Sequence, residues 1–241
     1  MRQKHAEKHA GRGDESRPAF GRGRADAGGG TMGRLHLFDM DGTLLHGSSA
    51  NVELARKLGL VEEFRALDAA FAAGRIDSPH YARQAYELWQ DLTAELVAEA
   101  FAASPWLVGI HEVWADIRAR GEYCAVISLS PEFFVRHLLP WGAHAAFGGR
   151  FPELPFRGAP LDVSGILHPE SKVRIADQLC ADYGVTRADC VAYGDSMSDA
   201  ALFQVVATSV AVNGDHNVSD IATLSYEGRD LRDAYELVLG A

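Results

Sequence analysis

The sequence predicts an α/β fold, a doubly wound parallel sheet with an inserted all-helical cap, from two observations. From residue 123 onward, short apolar runs of strand character alternate with amphipathic helical stretches, the pattern of a parallel sheet with crossover helices. One further strand-like run opens the pattern at residues 34–38, and residues 49–103 carry only helical periodicity, so that block is inserted behind the first strand.

RLHLF at residues 34–38 is short and apolar and runs into Asp39. In the block that follows, apolar residues recur at three- and four-residue spacing through NVELARKLGLVEEFRALDAAF. Ser78 followed by Pro79 reads as an N-cap with proline at the first helical position, and Thr93 reads as the cap of AELVAEAFAAS. Residues 106–120 form a helix that Gly121 ends, and YCAVI at 123–127 is a buried strand. PEFFVRHLLPWG is a helix opened by Ser130 and Pro131, and the Gly/Pro-rich residues 141–168 form short strands and turns. SKVRIADQLCADYG is an amphipathic helix ended by Gly184. CVAYGD, SDAALFQVV, TSVAV and DLRDAYELVLG complete the alternation as strand, helix, strand and helix.

The chain of 241 residues suits one such domain, with 47% hydrophobic and 23% charged residues, close to globular averages. Residues 1–31 are rich in Gly, Arg and Ala and carry a net charge of +3, against −13 for the remainder. They lack the hydrophobic centre of a secretory signal and read as a disordered extension ahead of a start at Met32. The acidic body weighs against a nucleic-acid partner, which needs clustered cations. No apolar run reaches the roughly 18 residues of a membrane span. Cys124, Cys180 and Cys190 form no C-x-x-C pair and read as buried reduced thiols, which places the protein in the cytoplasm.

Chemistry concentrates at strand ends. In Asp39-Met40-Asp41-Gly42-Thr43, side chains two apart on extended backbone point the same way. Both carboxylates therefore project at the carboxyl end of a strand, where open α/β sheets bind ligands. Gly42 lets the chain turn away and leaves backbone N–H groups to face an anion. Asp195 and Asp199, four apart in GDSMSD after a second strand, share a face if the next helix starts early. Two carboxylates about 4 Å apart repel by about 4 kcal/mol at an effective dielectric near 20. A hard cation relieves that repulsion, and an oxygen-only donor set fits Mg²⁺. Ser128, beside a helix opened at Ser130, is a candidate phosphate seat. Lys172 stands in the first turn of its helix, where the macrodipole disfavours a cation.

DMDGTLL, VISLSPEFF, Lys172 and YGDSMSD, taken in that order on alternating elements, resemble the four motifs of the haloacid dehalogenase superfamily. The branch they resemble is that of the phosphoserine phosphatases, with a helical cap between the first two motifs. The resemblance implies a core of residues 32–47 and 107–241 and a cap of residues 48–106. It implies that Asp39 is the nucleophile, that Asp41 is the acid and base, and that Lys172 would neutralise the equatorial phosphoryl oxygens together with Ser128 and the adjacent backbone. Gly42, Thr43, Ser128 and Leu129 would bind phosphate. Mg²⁺ would be held by Asp39, the main-chain carbonyl of Asp41, and Asp195, with Asp199 in support.

The activity implied is hydrolysis of a small phosphorylated metabolite through an aspartyl phosphate. The alternatives are phosphoryl transfer to an acceptor hydroxyl, strict phosphoserine hydrolysis, and a non-enzymatic phospholigand-binding scaffold. Ser48 stands where that branch carries a cap Glu for the substrate amine, and Ala85 where it carries an Arg for the carboxylate. Leu129 replaces a glycine and Ser198 an Asn. These departures point away from phosphoserine itself. His46, Ser48, Arg83 and Ser198 are the substrate-contact candidates, with Arg75, His80, Tyr81 and Trp89 as further positions in the cap.

Overall fold

The computed structural model describes residues 33–241, so the reading of residues 1–31 and of the start at Met32 lies outside the described residues. A six-stranded parallel sheet is built from β1 (Leu35–Phe38), β2 (Tyr123–Pro131), β3 (Ala145–Gly149), β4 (Cys190–Gly194), β5 (Thr208–Val212) and β6 (Leu224–Tyr226). Their order is 3-2-1-4-5-6. The chain thus winds outward from β1 in one direction, then returns to its other side, and the switch point lies between β1 and β4. Both strands stop just short of the acidic motifs, with Phe38 paired in register with Tyr193.

Alternation along each strand divides the core into two layers. Phe38, Val126, Tyr193 and Val212 face α5 (Ile110–Ala119) and α10 (Leu231–Gly240), whereas Leu37, Ala125, Ala192 and Ala211 face α7 (Ser171–Tyr183) and α8 (Ala200–Phe203). On the first face the Phe38 ring stacks on Tyr193 with centroids 4.3 Å apart. The inserted block consists of α1 (Ala50–Leu58), α2 (Val61–Ala72), α3 (Ser78–Leu88) and α4 (Ala94–Ala103). Its Leu54, Phe64, Trp89 and Phe101 belong to the same buried apolar cluster as Phe38 and Trp114. The block therefore shares a hydrophobic core with one face of the sheet.

Several local readings are corrected. Asp77, not Ser78, caps α3 and accepts from the His80 N–H at 2.9 Å; with Ser78 already helical, Pro79 still fits the first turn. Thr93 caps α4 as expected. α5 begins only at Ile110, because Trp106 and Val108 bridge to Leu45 and Asp230 and are extended. β2 continues four residues beyond Ile127, so Ser130 is a strand residue and no helix cap. The helix after it is short, α6 (Glu132–Val135), and passes into a 3-10 segment, Arg136–Trp141, that contains Pro140. α9 (His216–Ser219) and β6 lie in a stretch that carried no expectation. Cys124, Cys180 and Cys190 are buried and free. Among the described residues no helix is long and apolar enough to cross a membrane.

His36 is fully buried on β1, with Nε2 3.0 Å from Glu122 and Nδ1 3.1 Å from the Tyr193 hydroxyl. A neutral ring protonated on Nε2 satisfies both bonds, donating to the carboxylate and accepting from the phenol. Burial pulls the His36 pKa below its ordinary value of 6.5, although Glu122 opposes the shift. The unfolded chain therefore takes up a proton that the folded chain resists. The His36 contribution to stability is therefore expected to fall as pH drops below about 6.5, whereas the raised carboxyl of Asp195 contributes in the opposite sense. Urea unfolding of the wild type and of His36→Gln between about pH 7.5 and 5.5 should show the stability difference between them shifting in favour of the variant as pH falls, the carboxyl contributions being common to both.

Candidate active site

Asp39 follows β1 at the switch point, anchored by its own N–H to the Tyr193 carbonyl at 2.8 Å. Its side chain is only 6% exposed. Oδ1 accepts from the Met40 N–H at 2.8 Å and meets Lys172 Nζ at 3.1 Å. Oδ2 takes no hydrogen bond among the described residues. Lys172 comes from the first turn of α7, is 1% exposed, and contacts Asp199 Oδ1 at 2.6 Å. Two carboxylates thus answer the unfavourable helix-end position of this cation, and they hold its pKa above the ordinary lysine value against the opposing effect of burial.

Asp199 is fixed by its own turn. It is the third residue of a 3-10 turn capped by Ser196, and its Oδ2 accepts from the N–H groups of Asp195 and Ser196 at 3.2 and 3.4 Å. Gly194 permits this, because any Cβ there would overlap the Asp199 carboxyl group. Gly42 plays the same part for Asp195: its φ is +74° and a Cβ would collide with the Asp195 carboxylate. The Gly42 N–H donates to the Ser48 carbonyl at 3.0 Å. It closes the loop after Asp41 and is not free for an anion, which corrects the expectation for that group.

Oxygens of Asp39, Asp195 and Asp199 lie within 4.8 Å of one another. Burial raises the Asp39 carboxyl well above the usual range, and Asp199, Asp195 and Asp41 add to this while Lys172 opposes it. Asp195 is raised to about 7 by burial and by Asp199, again against Lys172. One lysine thus leaves negative charge uncompensated among hard oxygen donors, which is the chemistry of a divalent-cation site. The donor set fits a divalent metal ion. The side chain of Asp41 is outside this cluster.

Asp41 faces the other way along the crevice. Oδ1 accepts from the Ala50 N–H at 2.7 Å, and Oδ2 accepts from the Ser130 and Ser128 hydroxyls at 2.6 and 3.1 Å. Burial raises its pKa against these three bonds. Ser128 is fully buried and also accepts from the Ser130 N–H at 3.1 Å, whereas Ser130 lines the cavity.

A cavity of about 580 Å³ opens above these groups. Asp39, Asp41, Asp195 and Ser130 form its floor; Val52, Phe71, Tyr81, Trp89 and Phe151 line its walls and roof. Of the residues singled out from the sequence, Gly42, Ser48, Leu129, Ser198, Tyr81 and Trp89 also line it. Ser48 donates to Glu53, a buried carboxylate that also pairs with Arg56. Thr43 is fully buried and off the lining. His46 is likewise away from the cavity, with Nδ1 3.5 Å from Asn213. Arg75, His80 and Arg83 are exposed on the outside of the block, because α3 presents Ala82 and Ala85, not Arg83, to the interior.

Ser130, Asn51 and Asp68 line the cavity but were not singled out as site candidates from the sequence. Ser130 could have been found from strand alternation with Ser128, had β2 been drawn to its full length. Asn51 and Asp68 carry no local signal, since each looks like an ordinary polar residue of a helix.

The family model for haloacid dehalogenase-like hydrolase matches residues 36–204. The chain is 27% identical over 209 residues to a phosphoserine phosphatase of Methanocaldococcus jannaschii, covering 85% of this chain and 97% of that one. It is 25% identical over 202 residues to a phosphoserine phosphatase of Archaeoglobus fulgidus, covering 82% of this chain and 58% of that protein. A solved substrate-bound phosphoserine phosphatase complex shares the fold, with a TM-score of 0.73 and 24% identity over 86% of this chain and 99% of that one. The matched span runs from β1 into the turn beyond α8 and so takes in every carboxylate of the crevice floor: the chain belongs to the haloacid dehalogenase-like hydrolase family, on its phosphoserine phosphatase-like branch.

Proposed function

We propose that the protein is a Mg²⁺-dependent phosphomonoesterase that hydrolyses a small phosphorylated metabolite through an aspartyl phosphate on Asp39. The observation that carries this reading is the buried Asp39–Lys172–Asp199 arrangement at the floor of a cavity, with Asp41 held separately beside it. Residues 48–106 act as the cap over that floor. The three free thiols fit a reducing cytoplasm.

Asp39 has one oxygen held by Lys172 and the Met40 N–H, which leaves Oδ2 to attack phosphorus. As the Oδ2–phosphorus bond forms, the bond to the ester oxygen breaks and the departing alkoxide takes a proton from Asp41. Water then attacks the same phosphorus and yields its proton to Asp41, releasing inorganic phosphate and restoring the Asp39 carboxylate. Asp41 must start protonated, which burial favours. The Ser128 and Ser130 hydroxyls can serve either state, since a hydroxyl both donates and accepts. Lys172 balances charge on the phosphoryl oxygens, and the N–H of Leu129 and the hydroxyl of Ser130 complete the seat. Asp39, the Asp41 main-chain carbonyl and Asp195, with Asp199 in support, would hold Mg²⁺, which would supply positive charge to the transferring group.

Asp39→Asn should lower hydrolysis of p-nitrophenyl phosphate by roughly 10⁴-fold or more while leaving the circular dichroism spectrum unchanged. Excess chelator should abolish the same activity, and added Mg²⁺ should restore it. Gly42→Ala, which drives a methyl group into Asp195, should raise the Mg²⁺ concentration for half-maximal activity by about tenfold or more.

A further inference from the structure

The floor of the cavity is chemically committed, but its far end is distinctive. Among the described residues no Lys, Arg or His lines the cavity, whereas four carboxylates do: Asp39, Asp41, Asp195 and Asp68. Asp68, on α2, is half-buried, and Tyr81 is its hydrogen-bond partner, with O–H to Oδ1 at 2.7 Å. Because Tyr81 gives its one proton to Asp68, it can only accept from Asn51, whose Nδ2 lies 3.0 Å away. That fixes the Asn51 amide, and its Oδ1 is left buried without a partner. The free capacity beside Tyr81 is thus accepting, Asn51 Oδ1 and the second oxygen of Asp68, and the unfilled donor among the aromatic residues here is the neutral Trp89 Nε1–H. Around them stand the rings of Phe71, Tyr81 and Trp89.

We propose that the substrate is the phosphate ester of an amino alcohol with an apolar body and no carboxylate, its ammonium received by Asp68 and Asn51. An ammonium carries three donors and no acceptor, which matches two unfilled acceptors beside aromatic faces. A carboxylate brought to the same end would meet Asp68 with no cation to offset it. Size agrees. Phosphoserine has eleven non-hydrogen atoms and would fill about 330 Å³ even at the roughly 30 Å³ that each water occupies in the liquid, well below the 580 Å³ present. The remainder is bounded by Val52, Phe71, Trp89 and Phe151, a surface for an apolar group.

This inference rests on the phosphomonoesterase reading, and the test separates the two. The full chain with Mg²⁺ is assayed on p-nitrophenyl phosphate, phosphoserine, phenylalaninol phosphate and 3-phenylpropyl phosphate, the last lacking only the amine and its branch. The kcat/KM for phenylalaninol phosphate is expected to exceed that for 3-phenylpropyl phosphate and for phosphoserine by at least about tenfold, carried mainly by KM. Asp68→Asn should bring the ratio of the first two close to one. Tyr81→Phe, which frees Asp68 and Asn51 from their mutual alignment, should lower it as well and serves if the first variant does not fold. Hydrolysis of p-nitrophenyl phosphate with phosphoserine preferred, or with no preference for the amine, would overturn the inference and leave the phosphatase reading standing. No hydrolysis of any of the four would overturn both.

Discussion

A lysine ammonium with almost no access to water is the constraint on which the active-site end of this molecule depends. Lys172 cannot be buried alone, because an unpaired charge in an apolar interior is far too costly. Asp39 and Asp199 answer it at 3.1 and 2.6 Å. These three residues come from the end of β1, the turn after β4, and the first turn of α7. Their ion pairs therefore tie together the two strands that flank the switch point and the helix packed beneath them. The pairs also leave a surplus of negative charge, which adds to burial in raising Asp39 and Asp195 and makes the crevice a receptor for cations.

Floor and roof of the cavity are built on different principles. The floor comes from strand ends, where parallel register places side chains to within the spacing of the sheet, and its groups are charged and crowded. Two glycines make that crowding possible, since Gly42 and Gly194 let carboxylates approach where a Cβ would stand. The roof comes from helices inserted directly after β1 and is apolar, with the Asn51–Tyr81–Asp68 chain as its polar feature. Both halves share one hydrophobic cluster through Phe38, Trp114, Leu54 and Trp89. Position of the roof over the floor is thus set by side-chain packing, as in any core.

The departures at Ser48 and Ala85 can be placed in this setting. Ser48 faces the cavity but donates to Glu53, whose carboxylate Arg56 also engages, so that acid is occupied by its own neighbours. Ala85 lines the wall as a small apolar residue, and the guanidinium two residues earlier points to solvent. The carboxylate that lines the roof is instead Asp68, one helix further on.

Much of this molecule was legible along the chain. Alternating strands and helices, the inserted helical block, the acidic pairs at strand ends and the anomalous first-turn lysine are all local patterns, fixed by periodicity and by the residues that begin and end elements. Thr208–Val212 and the αL glycine at 184 fell where expected for that reason. Errors arose where a neighbour in space overrode a local signal. Ser130-Pro131 has the composition of a helix start, yet pairing with β3 keeps β2 extended to Pro131, and Ser130 then turns to Asp41. Trp106 and Val108 fit a helix until their bridges to Leu45 and Asp230 are formed. Sequence alone thus determined which residues carry charge and which elements deliver them. Only the tertiary structure decided that Asp68 and Asn51, joined through Tyr81, line the same cavity as Asp39 while His46 and Arg83 do not, because that depends on how helices lean on one another, and no single helix records it.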